Sequence, residues 1–287
     1  MLFELGEWGR NDNCQGLIFG LKFAEGKKPM SDLIKLDLVD LASAVGLMAI
    51  AIGLSAWEKL GLELNLALAT GRTILQLLVL GYIFDFIFAV DNPGAVLGIL
   101  AVMLTITAIV ARNRISQKIP HVLPIVWGSI FVSTALTLLY TNFLIIQPER
   151  WYEPQYVIPL AGIVLGNAMN ASAIAGERFV STMNAQPGEI ETHLSLGATP
   201  GQAVNQYRKD AIKAGLIPTL NQMMLIGMAT LPAITSGQLL GGVKPLDAVS
   251  YEILMIFMVA FANLLTTLLV TSALCRQFFN SAAQLVR

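Results

Sequence analysis

Of 287 residues, 55% are apolar and only 13% charged, with a net charge of −1. Ordinary soluble domains carry about 25% charged residues, so most of this surface must face something other than water. The near-neutral balance excludes nucleic acid as a partner, because phosphate binding demands concentrated Lys and Arg; two histidines and the distant Cys14 and Cys275 exclude a His-based metal cage and a disulfide framework.

Residues 1–37 form an N-terminal extension in which Glu4, Glu7, Asp12 and Glu25 interrupt any signal-peptide core. Met30-Ser31-Asp32-Leu33-Ile34 would be a normal start for a chain whose first span follows at once. The sequence therefore predicts that residues 1–29 are a dispensable, non-native extension, and that 38–287 form one membrane domain. Crossing a hydrocarbon core takes about 20 apolar residues in a helix, and backbone in lipid must satisfy its own hydrogen bonds. Seven stretches qualify: 38–57, 64–90, 93–111, 121–146, 156–176, 212–232 and 250–274. The expected fold is an all-α membrane protein of about seven transmembrane helices with a cytoplasmic helical hairpin. Placing 112–120 in the cytoplasm gives the cytoplasmic segments ten Lys and Arg against two outside. The positive-inside rule favours that choice, with the C-terminus cytoplasmic. A multi-pass protein with a basic cytoplasmic face fits a bacterial plasma (inner) membrane.

In the second span either Arg72 or Asp85 must lie in the apolar zone; a window of 73–90 puts Arg72 at the cytoplasmic face, one turn from Gln76. In the fifth, Asn167, Asn170, Ile174, Glu177 and Ser181 recur at spacings of 3 and 4 and share one helix face. The stripe is expected to face the bundle interior. Its asparagines read either as a transport pathway or as helix–helix glue worth about 0.6 kcal/mol per bond. Glu177, at the level of Arg72, is its candidate partner and a functional residue by default. Amide and carboxylate oxygens hold hard and borderline cations weakly, which makes Glu177, with Met169 nearby, the candidate metal-contacting pair. Met183, Met223, Met224 and Met228 read first as packing residues.

The loop of about 177–213 carries ordered signals. Glu189 and Glu191 suit a helix N-terminus, Gly197 sits at a C-cap position, and Pro200 can open the next helix. The pattern predicts a short helix, a tight turn and a second helix from Gly201 to Lys213. It reads either as a cover over the bundle end or as a coupling element, whose docking surface would be Glu189, Glu191, Leu194, Leu196, Gly197 and Ala198. After the sixth span, Pro232, Gly237, Gln238, Gly241 and Gly242 form a candidate gate, or else an ordinary outer turn; such Pro and Gly density at membrane depth is tolerated only beside protein or a cavity.

Glu191-x5-Gly197 with Ala198-Thr199 is similar to the coupling loop of ABC importer permeases. Arg72-Thr73-x2-Gln76-Leu77, Pro159-Leu160-x2-Ile163-x2-Gly166-Asn167-x2-Asn170, Glu177-Arg178, Leu196 to Pro200 and Thr235 to Gly242 together resemble the FetB-type iron-export permeases. That ABC transporter family is related to plant aluminium-sensitivity half-transporters. The resemblance runs from about Met30 to the end of the chain. It departs at Pro232-Ala233-Ile234-Thr235-Ser236-Gly237-Gln238, where Pro-Gly-Met-Met-Thr-Gly-Gln is expected. The resemblance implies a permease subunit that is not itself an enzyme, a second copy of the chain, and a separate nucleotide-binding subunit carrying ATP and Mg. Consistent with that, Gly20-x5-Gly26-Lys27-Lys28 has the wrong spacing and no magnesium-binding hydroxyl for a P-loop. No cofactor is expected on this chain. The competing readings are a proton-coupled secondary transporter using Glu177 or Asp85, a membrane enzyme, for which no catalytic signature is present, and a non-transporting scaffold.

Overall fold

A computed structural model describes residues 38–90, 92–116, 119, 121–280 and 284–285. The extension 1–37, with the expected non-native stretch, lies outside the described residues, as does the Asp85 side chain. The elements are α1 (Leu38–Trp57), α2 (Glu63–Val90), α3 (Pro93–Ile115), α4 (Val122–Tyr140) running into a π turn (Thr141–Ile146), α5 (Pro154–Ala185), α6 (Pro187–Ser195), α7 (Pro200–Ala203), α8 (Asn205–Leu225), α9 (Ala233–Leu240) and α10 (Pro245–Gln277). Among the described residues, six helices are long and apolar enough to cross a membrane: α1, α2, α3, α4 with its π turn, α5 and α10. The chain is thus a multi-span helical membrane protein.

Proline sits in the first turn of α3, α5 and α10, where a missing N–H costs nothing. At α3 the Asn92 side chain also accepts from the Gly94 N–H at 2.8 Å. The stretch expected as the sixth span, 212–232, is shared between a helix and a turn. Helix α8 starts in the polar run before it and stops at Leu225. Gly227, at φ 77°, then reverses the chain, its N–H bonding to the Thr230 carbonyl at 2.9 Å. Only glycine takes that left-handed conformation without strain, and Pro232 caps the short α9 that follows.

Helix α5 is the central pillar, packing most extensively on α10, α3 and α8. It runs parallel to α3: Val96 clusters with Ile158, Met103 touches Gly162, and Ile115 closes over Gly176. Its packing faces are small: Ala161, Ala168, Ala171, Ala173, Ala175 and Gly176 are all buried. Without a hydrophobic drive between helices in lipid, such residues let backbones approach and gain dispersion contact. The tightest glycine contact with another helix's backbone is at Gly215 of α8. A methyl group there would lie 2.8 Å from the Ala171 carbonyl oxygen, 2.9 Å from Thr267 Cγ2 and 3.0 Å from Ala175 Cβ.

Helices α1 and α2 form a separate hairpin. Ser55 Oγ donates to Glu63 Oε1 at 3.4 Å, and α2 reaches the bundle chiefly through Phe84 and Ile87, which join Val96 and Ile158.

Gly215→Ala gains about 1 kcal/mol of helix propensity, but the Ala171 backbone cannot yield, and overpacking costs about 1–3 kcal/mol. The expected result is a lower melting temperature in detergent. Gly98→Ala, with no atom within 4 Å of its added methyl, should leave it unchanged or higher.

Candidate translocation and coupling sites

The fifth-span stripe does not face inward. Asn170, Glu177 and Ser181 are exposed, and Asn167 and Ile174 half-buried. The reason is that the alanine and glycine positions of α5 take up the contacts with α3, α8 and α10, which turns the polar stripe to the outside of the single chain. Asn167 Nδ2 donates to the Ile163 carbonyl one turn back, at 2.9 Å. Arg114, at the end of α3, reaches Asn170 Oδ1 at 3.5 Å, the outer limit of a hydrogen bond. Met169 packs against the main core while Glu177 lies on the open face. Arg72 and Gln76 are exposed on α2. Among the described residues Arg72 and Glu177 form no ion pair, and no group of three His, Cys, Asp or Glu could hold a metal ion.

A different polar seam holds the interior. Along α4 and into its π turn, Ser129, Ser133, Thr137 and Thr141 recur every fourth residue, and all are buried. Ser133 shares a hydrogen bond with Thr266 of α10 at 2.5 Å. One turn earlier on α10, Asn263 Nδ2 donates to Thr219 of α8 at 2.7 Å. Sequence reasoning missed this seam because hydroxyls pass as apolar in a hydropathy profile, although the four-residue period was there to find. It also missed Glu252, in the second turn of α10. Only 9% exposed, this carboxylate accepts from Thr235 Oγ1 of α9 at 2.8 Å. It lines a cavity of about 240 Å³ with Ile226, Gly227, Leu231 and Ile253, where the turn after α8 meets α10. A second cavity, about 340 Å³ and almost wholly apolar, lies between α3, α4 and α5. The candidate gate residues surround α9: Pro232 caps its start, Gly237 and Gln238 lie within it, Gly241 caps its end, and Gly242 turns at φ 83°.

At the other end of the bundle the predicted helix–turn–helix is present. Helix α6 opens with Pro187 and ends at Ser195, capped by Leu196; Gly197 turns at φ 90°. Thr199 and Gln202 then form a reciprocal capping box at the start of α7. The second helix differs from the expected single run 201–213: α7 stops at Ala203, and α8 begins afresh at Asn205 and continues well past Lys213. Ile190 is fully buried, and Leu194 and Ala198 pack against the core. Glu189, Glu191, His193 and Leu196 point outward, Leu196 at 80% exposure. His193 Nε2 lies 3.9 Å from Glu189 Oε1. Desolvation, reinforced by the nearby Glu189 carboxylate, pushes the Tyr207 hydroxyl up to about 12, so it stays protonated at neutral pH.

These features define a polytopic α-helical membrane protein with a compact helical hairpin at one end and a broken helix at the other. The chain belongs to the UPF0014 family, described as an "Uncharacterised protein family", whose model matches residues 38–279. A UPF0014 membrane protein of Synechocystis is 50% identical over 88% of this chain and 98% of its own length. The probable iron export permease protein FetB of Escherichia coli is 33% identical over 86% of this chain and 93% of its own. Protein ALUMINUM SENSITIVE 3 of Arabidopsis thaliana is 30% identical over 86% and 89%. No solved structure matches.

Intramembrane hydroxyl bonds average about 0.6 kcal/mol and reach about 1.7. A double-mutant cycle of Ser133→Ala and Thr266→Ala, read by unfolding in mixed micelles, is expected to return a coupling energy in that range; zero coupling would mean that the α4–α10 seam holds by packing alone.

Proposed function

We propose that this chain is the membrane-spanning permease subunit of an ABC exporter. It moves iron or another metal cation out of the cytoplasm across the plasma membrane, using ATP and Mg held by a separate nucleotide-binding subunit. Two copies of the chain form the pathway, and the C-terminus is cytoplasmic. The observation that carries the reading is the α6–α7 hairpin. Gly197 and the Thr199–Gln202 box fix its turn, buried Ile190 anchors it to the bundle, and Leu196 stands out alone as an apolar knob beside Glu189 and Glu191. A rigid, anchored element with an apolar tip suits docking into a groove on a partner. The printed name of the Escherichia coli relative supports metal as the cargo. Releasable binding by Asn167, Asn170 and Glu177, with Gln76 and Arg72 on α2, agrees with an exporter's need for weak oxygen sites.

Leu196→Asp tests the reading without threatening the fold, because the side chain is exposed. Affinity purification from mild detergent should recover an ABC ATPase with the wild-type chain and lose it with Leu196→Asp. Gly197→Trp should lose it too, since a non-glycine residue at this φ costs about 1–2 kcal/mol. If no ATPase accompanies the folded wild-type chain, the motor-driven reading fails; transport that follows the proton gradient would then support a secondary transporter.

A further inference from the structure

Two polar stripes lie on the outside of this chain, the second touched within the chain by Arg114 at Asn170 alone among its three residues, and they match. On α2, Asn65, Arg72 and Gln76 fall at spacings of 7 and 4 and so share one face; all three are exposed. On α5, Asn170, Glu177 and Ser181 do the same, again at spacings of 7 and 4, and all are exposed. One stripe carries a positive charge and the other a negative one. Arg72 lies nine residues in from Glu63, about 14 Å along the helix, and Glu177 lies eight residues before Ala185, about 12 Å. The two helix ends are on the same side of the bundle. The C-terminal end of α2 meets Ile158 near the start of α5, and the N-terminal end of α2 therefore lies towards the far end of α5.

Lipid does not solve this placement. Acyl chains suit the leucines of α1 and α2, but they offer no partner to the Gln76 amide or to the Arg72 guanidinium. Nor does the chain solve it internally, since α2 joins the bundle at its Phe84–Ile87 end and leaves its polar stripe bare.

We propose that the α1–α2 hairpin packs on a second copy of the chain. The Asn65–Arg72–Gln76 face of one copy lies along the Asn170–Glu177–Ser181 face of the other, and an Arg72–Glu177 ion pair forms between copies. Two-fold symmetry makes the contact twice, each copy giving its hairpin and receiving its partner's. The stripe that faces outward in one chain then lines the interior of the pair, which puts Asn170 and Glu177 on a shared pathway. The inference rests on the two-copy arrangement proposed above.

The test uses full-length chains with Cys14→Ser and Cys275→Ser. Arg72→Cys on one tagged copy and Glu177→Cys on a differently tagged copy are co-expressed and treated in membranes with a short bifunctional thiol reagent. The expected product is a crosslinked dimer carrying both tags, lost when Ile74→Cys, at the same depth on the opposite face of α2, replaces Arg72→Cys. With intact cysteines elsewhere removed in the same way, charge reversal supplies a second readout: Arg72→Glu or Glu177→Arg alone should lower the dimer fraction in native mass spectrometry, and the double reversal should restore it. No crosslink between the two tags, in a preparation that native mass spectrometry shows to be dimeric, overturns the inference while leaving the two-copy arrangement standing. A chain that is monomeric throughout overturns both, and ATPase recovery with that monomer would still decide the ABC reading by itself.

Discussion

The close approach of α8 to α5 and α10 at Gly215 constrains the rest of the bundle. There is no room for a side chain between the Ala171 carbonyl, Ala175 and Thr267, so the α8 backbone lies directly against the α5 backbone and the Thr267 methyl of α10. That contact brings Thr219, one turn further along α8, within hydrogen-bonding distance of Asn263. It also fixes which side of α5 is consumed by packing. Once Ala171 and Ala175 are committed to α8, and Gly176 to Ile115 of α3, Asn170 and Glu177 have nowhere to go but the outer surface. The position of the polar stripe is thus a consequence of where the small residues are.

Much of this architecture was legible in the sequence because lipid leaves the backbone few choices. Runs such as 93–111 and 250–274 can only be helices, and the structure extends each by several residues into its cap. The α6–α7 hairpin was legible for a local reason: Gly197, Thr199 and Pro200 are turn and cap residues whose roles depend on near neighbours. What could not be read was direction. The spacing of Asn167, Asn170 and Glu177 defines a face but not what that face meets, and the rule that polar groups turn inward holds for an assembly, not for one chain of it. The break at Leu225 was equally hidden, since Gly227 sits in an apolar context where a helix would have been as economical.

Glu252 and the α4 hydroxyl series show the same limit from the opposite side. Ser129, Ser133, Thr137 and Thr141 look unremarkable in hydropathy, because a serine or threonine can return its hydroxyl proton to the preceding turn, as Thr137 does to the Ser133 carbonyl at 2.7 Å. Their role as a seam emerges when Thr266 arrives opposite them. Glu252 is a costlier group to bury, and it is tolerated because α9, a helix of eight residues created by the break after α8, brings Thr235 to it.

Under the proposed function these parts form one mechanical line. The hairpin is anchored through Ile190, and its end runs through Val204, itself buried, into α8. Helix α8 is wedged at Gly215, where it cannot slide without moving α5 and α10 with it. Its far end is the turn at Gly227, whose left-handed glycine and short bridge to Thr230 interrupt the helical ladder. A displacement at Leu196 would therefore reach α8 at Gly215 and be taken up where the helical ladder is interrupted, first at Pro218 and then at the break after Leu225, beside the cavity that Glu252 lines. Interfaces packed this tightly switch between discrete arrangements rather than deform continuously. Helix α8 is thus held where it meets α5 and α10 and interrupted beyond that contact, which is where such a switch has room to move.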